Sequence, residues 1–125
     1  MKYILALALL VLSLNAKHLH YEKYYQKIFC NKMGGEIEYV LSDKTRVDCL
    51  TSSYAIEVDF APKWAESIGQ SLYYGLMTKK KAGVLLILEN GAKDRKYLSR
   101  LIKVADEVDI TIWTIDDKLI VKRIR

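Results

Sequence analysis

The sequence has little of the residues that interrupt or cross-link a chain, with one proline, six glycines and two cysteines in 125 residues. So little glycine and proline excludes a collagen-like or low-complexity chain, and two cysteines exclude a disulfide-dense scaffold. No internal repeat is present, and no apolar run reaches the roughly 20 residues that a stable membrane-spanning helix needs. The hydrophobic fraction of 51% is instead typical of a chain that folds into one domain.

The longest apolar stretch lies at the N-terminus. Lys2 precedes an apolar run from Ile4 to Leu12, and Ala16 is a small residue at a suitable cleavage position. This is the pattern of a secretory signal peptide. We therefore expect residues 1–16 to be removed and residues 17–125 to form a single periplasmic or secreted domain with no stable membrane span. An uncleaved, membrane-tethered form is the alternative, because the residues just before Ala16 depart from an ideal cleavage site.

The expected export affects the interpretation of the two cysteines, because it sets the redox environment of the folded chain. Cys30 and Cys49 could form a disulfide in an oxidising compartment. Two separate buried thiols are equally compatible with the sequence, since cysteine is often a small core residue. A zinc site is a poor interpretation, because neither cysteine has a histidine neighbour.

Hydrophobic periodicity predicts an α/β sandwich with a mixed central sheet. Helices are expected over 20–32, from Pro62 onward and over 94–105, and strands over 37–41, 46–50, 54–60, 83–88 and 110–115, with 119–124 as a further basic edge strand. The first three strands are separated by short polar turns and predict an antiparallel meander. In the second helix, the apolar stripe predicted to pack on the sheet comprises Trp64, Ile68, Leu72 and Leu76.

Three carboxylates are expected to converge on the second and third strands. Side chains alternate along a strand, so Glu57 and Asp59 share one face and Ile56 and Val58 the other. Folding back of the preceding strand places Asp48 beside Glu57 as a cross-strand neighbour. Like charges this close repel unless a cation intervenes, which predicts a divalent metal, Mg²⁺ or Mn²⁺, held by oxygen ligands.

The helix that follows these strands adds a polar face. Lys63, Glu66, Gln70 and either Tyr73 or Tyr74 recur at helical spacing, and this face begins four residues after Asp59. A lysine there could position an attacking water and offset charge on a phosphate, while the metal acts as a Lewis acid. An ordinary exposed Lys63–Glu66 salt bridge is the simpler interpretation of that pair.

These residues resemble the PD-(D/E)xK nuclease superfamily, which has the restriction-endonuclease-like fold. The family core is an α-β-β-β-α-β unit with an Asp on the second strand and Glu-x-Lys on the third. Asp48 and Glu57 match the two acids, and Gln70 and Tyr74 match the Gln-x-x-x-Tyr helix signature of phage-type exonucleases. The additional family acid would come from Glu22, Glu36 or Glu38.

The chain departs from the family pattern at one position. Asp59 stands where the strand lysine is expected, and Lys63 is the candidate replacement. The resemblance implies an exported nuclease that hydrolyses DNA or RNA. Its metal ligands would be Asp48, Glu57 and Asp59, its catalytic residues would be these and Lys63, and its substrate-binding residues would be Glu66, Gln70 and Tyr74. The alternative is a catalytically inactive member of the fold that binds nucleic acid or a protein partner.

The distribution of positive charge is compatible with a nucleic-acid partner, for which DNA is the first expectation. Basic clusters lie at 79–81, 93–96 and 122–125, and the calculated pI is about 9.1. Each cluster taken separately is also explained as a solvated helix end or a charged edge strand. A homodimer is a further expectation for so small a unit that cuts duplex DNA. The tyrosines of the first helix could stack on bases, whereas aromatic residues at this spacing more often form core.

Overall fold

The computed structural model describes residues 18–125, so the expected signal peptide lies outside the described residues. The helices are α1 (Glu22–Met33), α2 (Trp64–Thr78) and α3 (Arg95–Val108). The strands are β1 (Glu36–Val40), β2 (Arg46–Leu50), β3 (Tyr54–Phe60), β4 (Lys81–Leu88), β5 (Thr111–Asp116) and β6 (Val121–Arg123). Short 3-10 turns at Ala61–Lys63 and Gly91–Asp94 lead into α2 and α3.

The six strands form one mixed sheet in sequence order, β1-β2-β3-β4-β5-β6. The pairs β1–β2, β2–β3 and β5–β6 are antiparallel, whereas β3–β4 and β4–β5 are parallel. Parallel neighbours need a crossover, and α2 and α3 supply the two that are required. The α/β class, the mixed sheet and the antiparallel meander are therefore confirmed.

Helices cover both faces of the sheet. On the α1 side, Phe29 packs in a core cluster with Ile56, Val58 and Leu85. On the opposite side, Val84 and other residues of β4 and β5 pack with α2 and α3. Because β4 contributes to both clusters, its continuous apolar sequence is explained by burial on two faces.

The predicted apolar stripe of α2 packs on the core only in part, through Trp64 and Ile68. Leu72 is 36% exposed and Leu76 is 75% exposed, while Ser67 and Ser71 are fully buried. Small side chains let the helix lie close to the sheet, and each serine hydroxyl donates to a helix carbonyl, as Ser67 Oγ does to Trp64 O at 2.6 Å. Hydroxyls satisfied in this way cost little to bury. A pattern of large apolar residues therefore does not reveal the burial of Ser67 and Ser71.

Candidate active site

The strands β2 and β3 part at Asp48. Their register ends with the Cys49–Ile56 pair. At the next position, Asp48 Oδ2 accepts a hydrogen bond from the Val58 amide at 2.8 Å. The Val58 amide therefore donates to a side-chain carboxylate instead of a backbone carbonyl. The Asp48 side chain lies where the backbone pairing of β2 and β3 ends.

The other neighbour of β2 is also irregular at this point. The β1–β2 register passes from Ile37 to Tyr39 and omits Glu38, which has a φ of 53° in the left-handed region. The Asp48 carbonyl instead accepts a hydrogen bond at 2.8 Å from Gln26 Nε2, which lies 3.4 Å from Glu38 Oε1. Gln26 is 2% exposed, so this amide joins α1 to β2 where the ladder is interrupted. Irregular strands of this kind are frequent beside functional sites.

Glu57 and Asp59 lie on the face of β3 opposite Ile56 and Val58, as predicted, and are only 7% and 6% exposed. Burial raises the pKa of the Glu57 carboxyl well above its usual range, and the Asp48 and Asp59 charges raise it further. The Asp48 pKa is also raised, mainly by burial. A hydrogen bond between the two carboxyls lowers the pKa of Asp48 and raises that of Glu57. Such a pair holds a proton near neutral pH in the absence of a cation.

Asp59 extends the cluster toward α1. Burial, with the charges of Glu22 and Asp48, raises the Asp59 pKa to about 7. The Asp59 Oδ2 atom is buried and has no hydrogen-bond partner among residues 18–125. The Glu22 pKa is raised by burial and by the Asp48 charge. Glu22 therefore joins the three predicted acids, whereas Glu38 lies at the edge of the group through its contact with Gln26.

Lys63 lies close to the carboxyl groups without pairing with them. Its charge opposes the rise in the pKa values of Asp59 and Glu22, so its electrostatic field reaches both. Between residues 18 and 125, however, no carboxylate oxygen lies within the 4.0 Å salt-bridge limit of Lys63 Nζ. The lysine remains available to another anion.

The three predicted substrate-binding residues of α2 occupy different environments. Tyr74 is buried against Val47 and Ala55, and its pKa is raised by burial and by the charges of Glu57 and Asp48. Glu66 is exposed, yet its charge raises the pKa of Asp59. Gln70 is also exposed. Tyr74 and Glu66 are thus near the carboxyl groups, whereas Gln70 faces solvent.

The donor set suits a hard divalent cation. Asp48, Glu57 and Asp59 offer only oxygen, and Asp59 Oδ2, which no described residue hydrogen-bonds, is a buried acceptor that a cation would satisfy. In their present rotamers, no three His, Cys, Asp or Glu side chains within residues 18–125 are arranged to hold an ion. Binding would therefore require the Asp48–Glu57 hydrogen bond to open and release its proton.

Comparison with family models, with curated proteins and with solved structures gave no significant match. Among the described residues, no helix is both long enough and apolar enough to cross a membrane.

Two parts of the site were missed by sequence reasoning. Gln26 shares a helical face with Phe29 and Cys30, so a polar residue within an apolar stripe was the signal that could have found it. The second part is the segment before α1, where His18 Nδ1 lies 3.0 Å from Glu89 Oε2. That long-range contact left no local pattern in the sequence.

Proposed function

We propose that this protein is an exported, metal-dependent nuclease of the restriction-endonuclease-like fold that hydrolyses phosphodiester bonds of DNA or RNA. The observation that carries the proposal is the group of buried carboxyls formed by Asp48, Glu57 and Asp59 where β2 and β3 part. Strongly raised pKa values with a nearby lysine are typical of functional sites rather than of surface ion pairs. The α-β-β-β-α-β order of the first six elements is compatible with the family core.

Each side chain has a role in this proposal. Asp48, Glu57 and Asp59 would hold Mg²⁺ or Mn²⁺, which supplies Lewis-acid polarisation of the phosphate when bound. Lys63 would orient the attacking water and offset negative charge on the phosphate in the transition state. Gln26 is a positioning residue, because its amide holds the Asp48 backbone. Glu66 and Tyr74, beside the acids, and the exposed Gln70 would contact the nucleic-acid strand.

The direct test is plasmid nicking by the purified protein with Mg²⁺, with Mn²⁺ and with EDTA, using wild type, Asp48→Asn and Glu57→Gln. We expect metal-dependent cleavage by wild type and a loss of about 100-fold or more in each variant, because an amide is a much weaker metal ligand than a carboxylate. The matched control is Glu107→Gln, which alters an exposed acid on α3 and should cleave like wild type.

Cleavage that persists in EDTA, or in both site variants, would contradict the proposal. A labelled single-stranded RNA and a single-stranded DNA, run under the same conditions, would identify the preferred nucleic acid. Mass measurement by light scattering with and without duplex DNA would test for the homodimer.

A second candidate is a catalytically inactive protein of the same fold that binds nucleic acid or a protein partner. It is favoured by Asp59 at the usual lysine position and by the absence, within residues 18–125, of a carboxylate in salt-bridge contact with Lys63. Gel shifts without cleavage by either metal would support this candidate.

A further inference from the structure

A pocket of about 600 Å³ lies beside the carboxyl cluster, a volume in the range of small-molecule sites. Its walls come from the segment before α1, from the first turn of α1 and from the end of β3. The residues that line it include His18, His20, Tyr21, Glu22, Tyr24 and Phe60. Most of these side chains are aromatic.

The wall of the pocket is fixed to the sheet through Glu89, which follows β4. Its carboxylate accepts hydrogen bonds from the His20 amide at 3.2 Å and from the Tyr25 hydroxyl at 2.8 Å, and it contacts His18 Nδ1 at 3.0 Å. Burial opposes the Glu89 charge, but the hydrogen bonds outweigh it and hold the pKa of this carboxyl below its usual value. The residues before α1 are therefore built into the fold.

The rings are arranged for stacking. His18 lies parallel to Phe60, with centroids 3.6 Å apart and planes at 10°. The ring centroids of His20 and Tyr24 are 4.2 Å apart. Tyr21 is 87% exposed and Tyr24 is 41% exposed, so aromatic surface remains uncovered at the mouth of the pocket. A flat, polarisable ligand would cover it.

Two residues join this pocket to the proposed catalytic group. Phe60 directly follows Asp59 at the end of β3, with its side chain on the same face as Ile56 and Val58. Glu22 lines the pocket, and its charge raises the pKa values of Asp59 and Glu57. A planar group in the pocket and a phosphate at the acids would therefore be neighbouring parts of one ligand.

We infer that this pocket binds the base of the nucleotide whose phosphodiester lies at Asp48, Glu57 and Asp59, so the substrate is a single strand or an unpaired end. This inference rests on the proposed function. In a duplex both faces of a base are stacked, and entry into an aromatic pocket requires it to leave the stack. Stacking is tolerant of sequence, because every base has an aromatic face.

The test is fluorescence anisotropy in EDTA with a labelled oligothymidylate, an abasic strand of the same length and a blunt duplex. We expect at least tenfold tighter binding of the base-containing single strand than of the other two. Tyr21→Ala should reduce that preference at least fivefold, because stacking on one ring contributes about 1–3 kcal/mol per base. Tyr21→Phe should retain the preference.

Tyr39→Ala is the matched control, because Tyr39 is a half-exposed tyrosine on β1 and is not among the residues lining the pocket. Equal binding of abasic and base-containing strands, or an equal loss of preference in Tyr39→Ala and Tyr21→Ala, would overturn the inference. The assay needs no catalysis. Base-dependent binding without cleavage would contradict the proposed nuclease activity but not the base-binding role of the pocket. Metal-dependent cleavage without base preference would contradict the base-binding role of the pocket but not the nuclease activity.

Discussion

At the scale of single residues, Asp59 stands at the strand position where the resemblance implies a lysine, and Lys63 is the candidate replacement for that lysine. The Asp59 Oδ2 atom is buried, and within the described part of the chain it has no hydrogen-bond partner. The lysine comes four residues later, in the 3-10 turn Ala61–Lys63 that leads into α2. Its charge acts on Asp59 and Glu22 at a distance. A lysine so placed could act on a bound phosphate without first breaking a salt bridge.

Substitution of Lys63 tests this arrangement. We expect Lys63→Ala to lower the cleavage rate by about 100-fold, the usual order for loss of one transition-state charge contact. Because removal of a cation raises the pKa of Asp59 further, the rising limb of the pH–rate profile should also move to higher pH.

Lys79→Ala is the control for this substitution, because Lys79 is exposed at the opposite end of α2. Rates within twofold of wild type in Lys63→Ala would refute the catalytic role of the lysine and favour the binding protein.

At the scale of elements, the position of Asp48 depends on the junction between α1 and β2. The Cys30–Cys49 disulfide connects the last turn of α1 to the residue after Asp48. The two cysteines are therefore paired rather than separate buried thiols, the alternative that the sequence left open. Closing a loop of this length stabilises the fold by about 3 kcal/mol in the chain-entropy view. Gly35 follows the left-handed cap residue Gly34 and lies against both sulfurs.

Gly35→Ala should therefore disturb this junction. An added Cβ would lie 2.7 Å from Cys49 Sγ and 2.8 Å from Cys30 Sγ, which is closer than real contacts. We expect a loss of about 1–3 kcal/mol in the free energy of unfolding, measured by urea denaturation.

Gly69→Ala is the matched glycine control. Gly69 is in the interior of α2 with open space around its Cβ position, so alanine should stabilise by about 0.5–1 kcal/mol. An unchanged urea midpoint for Gly35→Ala would show that the junction tolerates displacement of the sulfurs.

At the scale of the whole molecule, the buried acids couple folding to pH and to metal. The pKa of Asp59 is about 7 in the folded protein against an ordinary value of 3.8, so the folded state binds more protons than the unfolded state between these values. This contribution to stability is present below about pH 4 and is lost as the pH rises through 7. The raised pKa values of Asp48 and Glu57 act in the same direction.

We therefore expect the melting temperature in EDTA to fall by about 5 °C or more between pH 5.5 and pH 8. Mg²⁺ or Mn²⁺ should restore it at pH 8 and have less effect at pH 5.5, because protons compete with the metal for these ligands. Differential scanning calorimetry measures both effects.

Asp59→Asn should flatten this pH dependence, whereas Glu107→Gln should leave it unchanged. A melting temperature that rises from pH 5.5 to pH 8 in EDTA would contradict the proposed protonation of the cluster.

Much of the fold could be predicted from the sequence because local patterns encode it. Period-two and helical apolar spacing located every strand and helix between residues 18 and 125 to within a few positions. The alternation in β3 likewise assigned Glu57 and Asp59 to the face opposite Ile56. The apolar stripe of α2 was confirmed only in part, because Trp64 and Ile68 pack on the core while Leu72 and Leu76 are exposed.

The order of the elements and the carboxylate pattern follow from spacing along the chain, so both can be predicted from the sequence. The parting of β2 and β3, the Gln26 contact with Asp48, the disulfide and the aromatic pocket are seen only in the folded structure. Each joins residues distant in sequence, so its formation depends on how α1 packs on the sheet. Packing also buries the acids and thereby turns a pattern of charges into a cluster with raised pKa values.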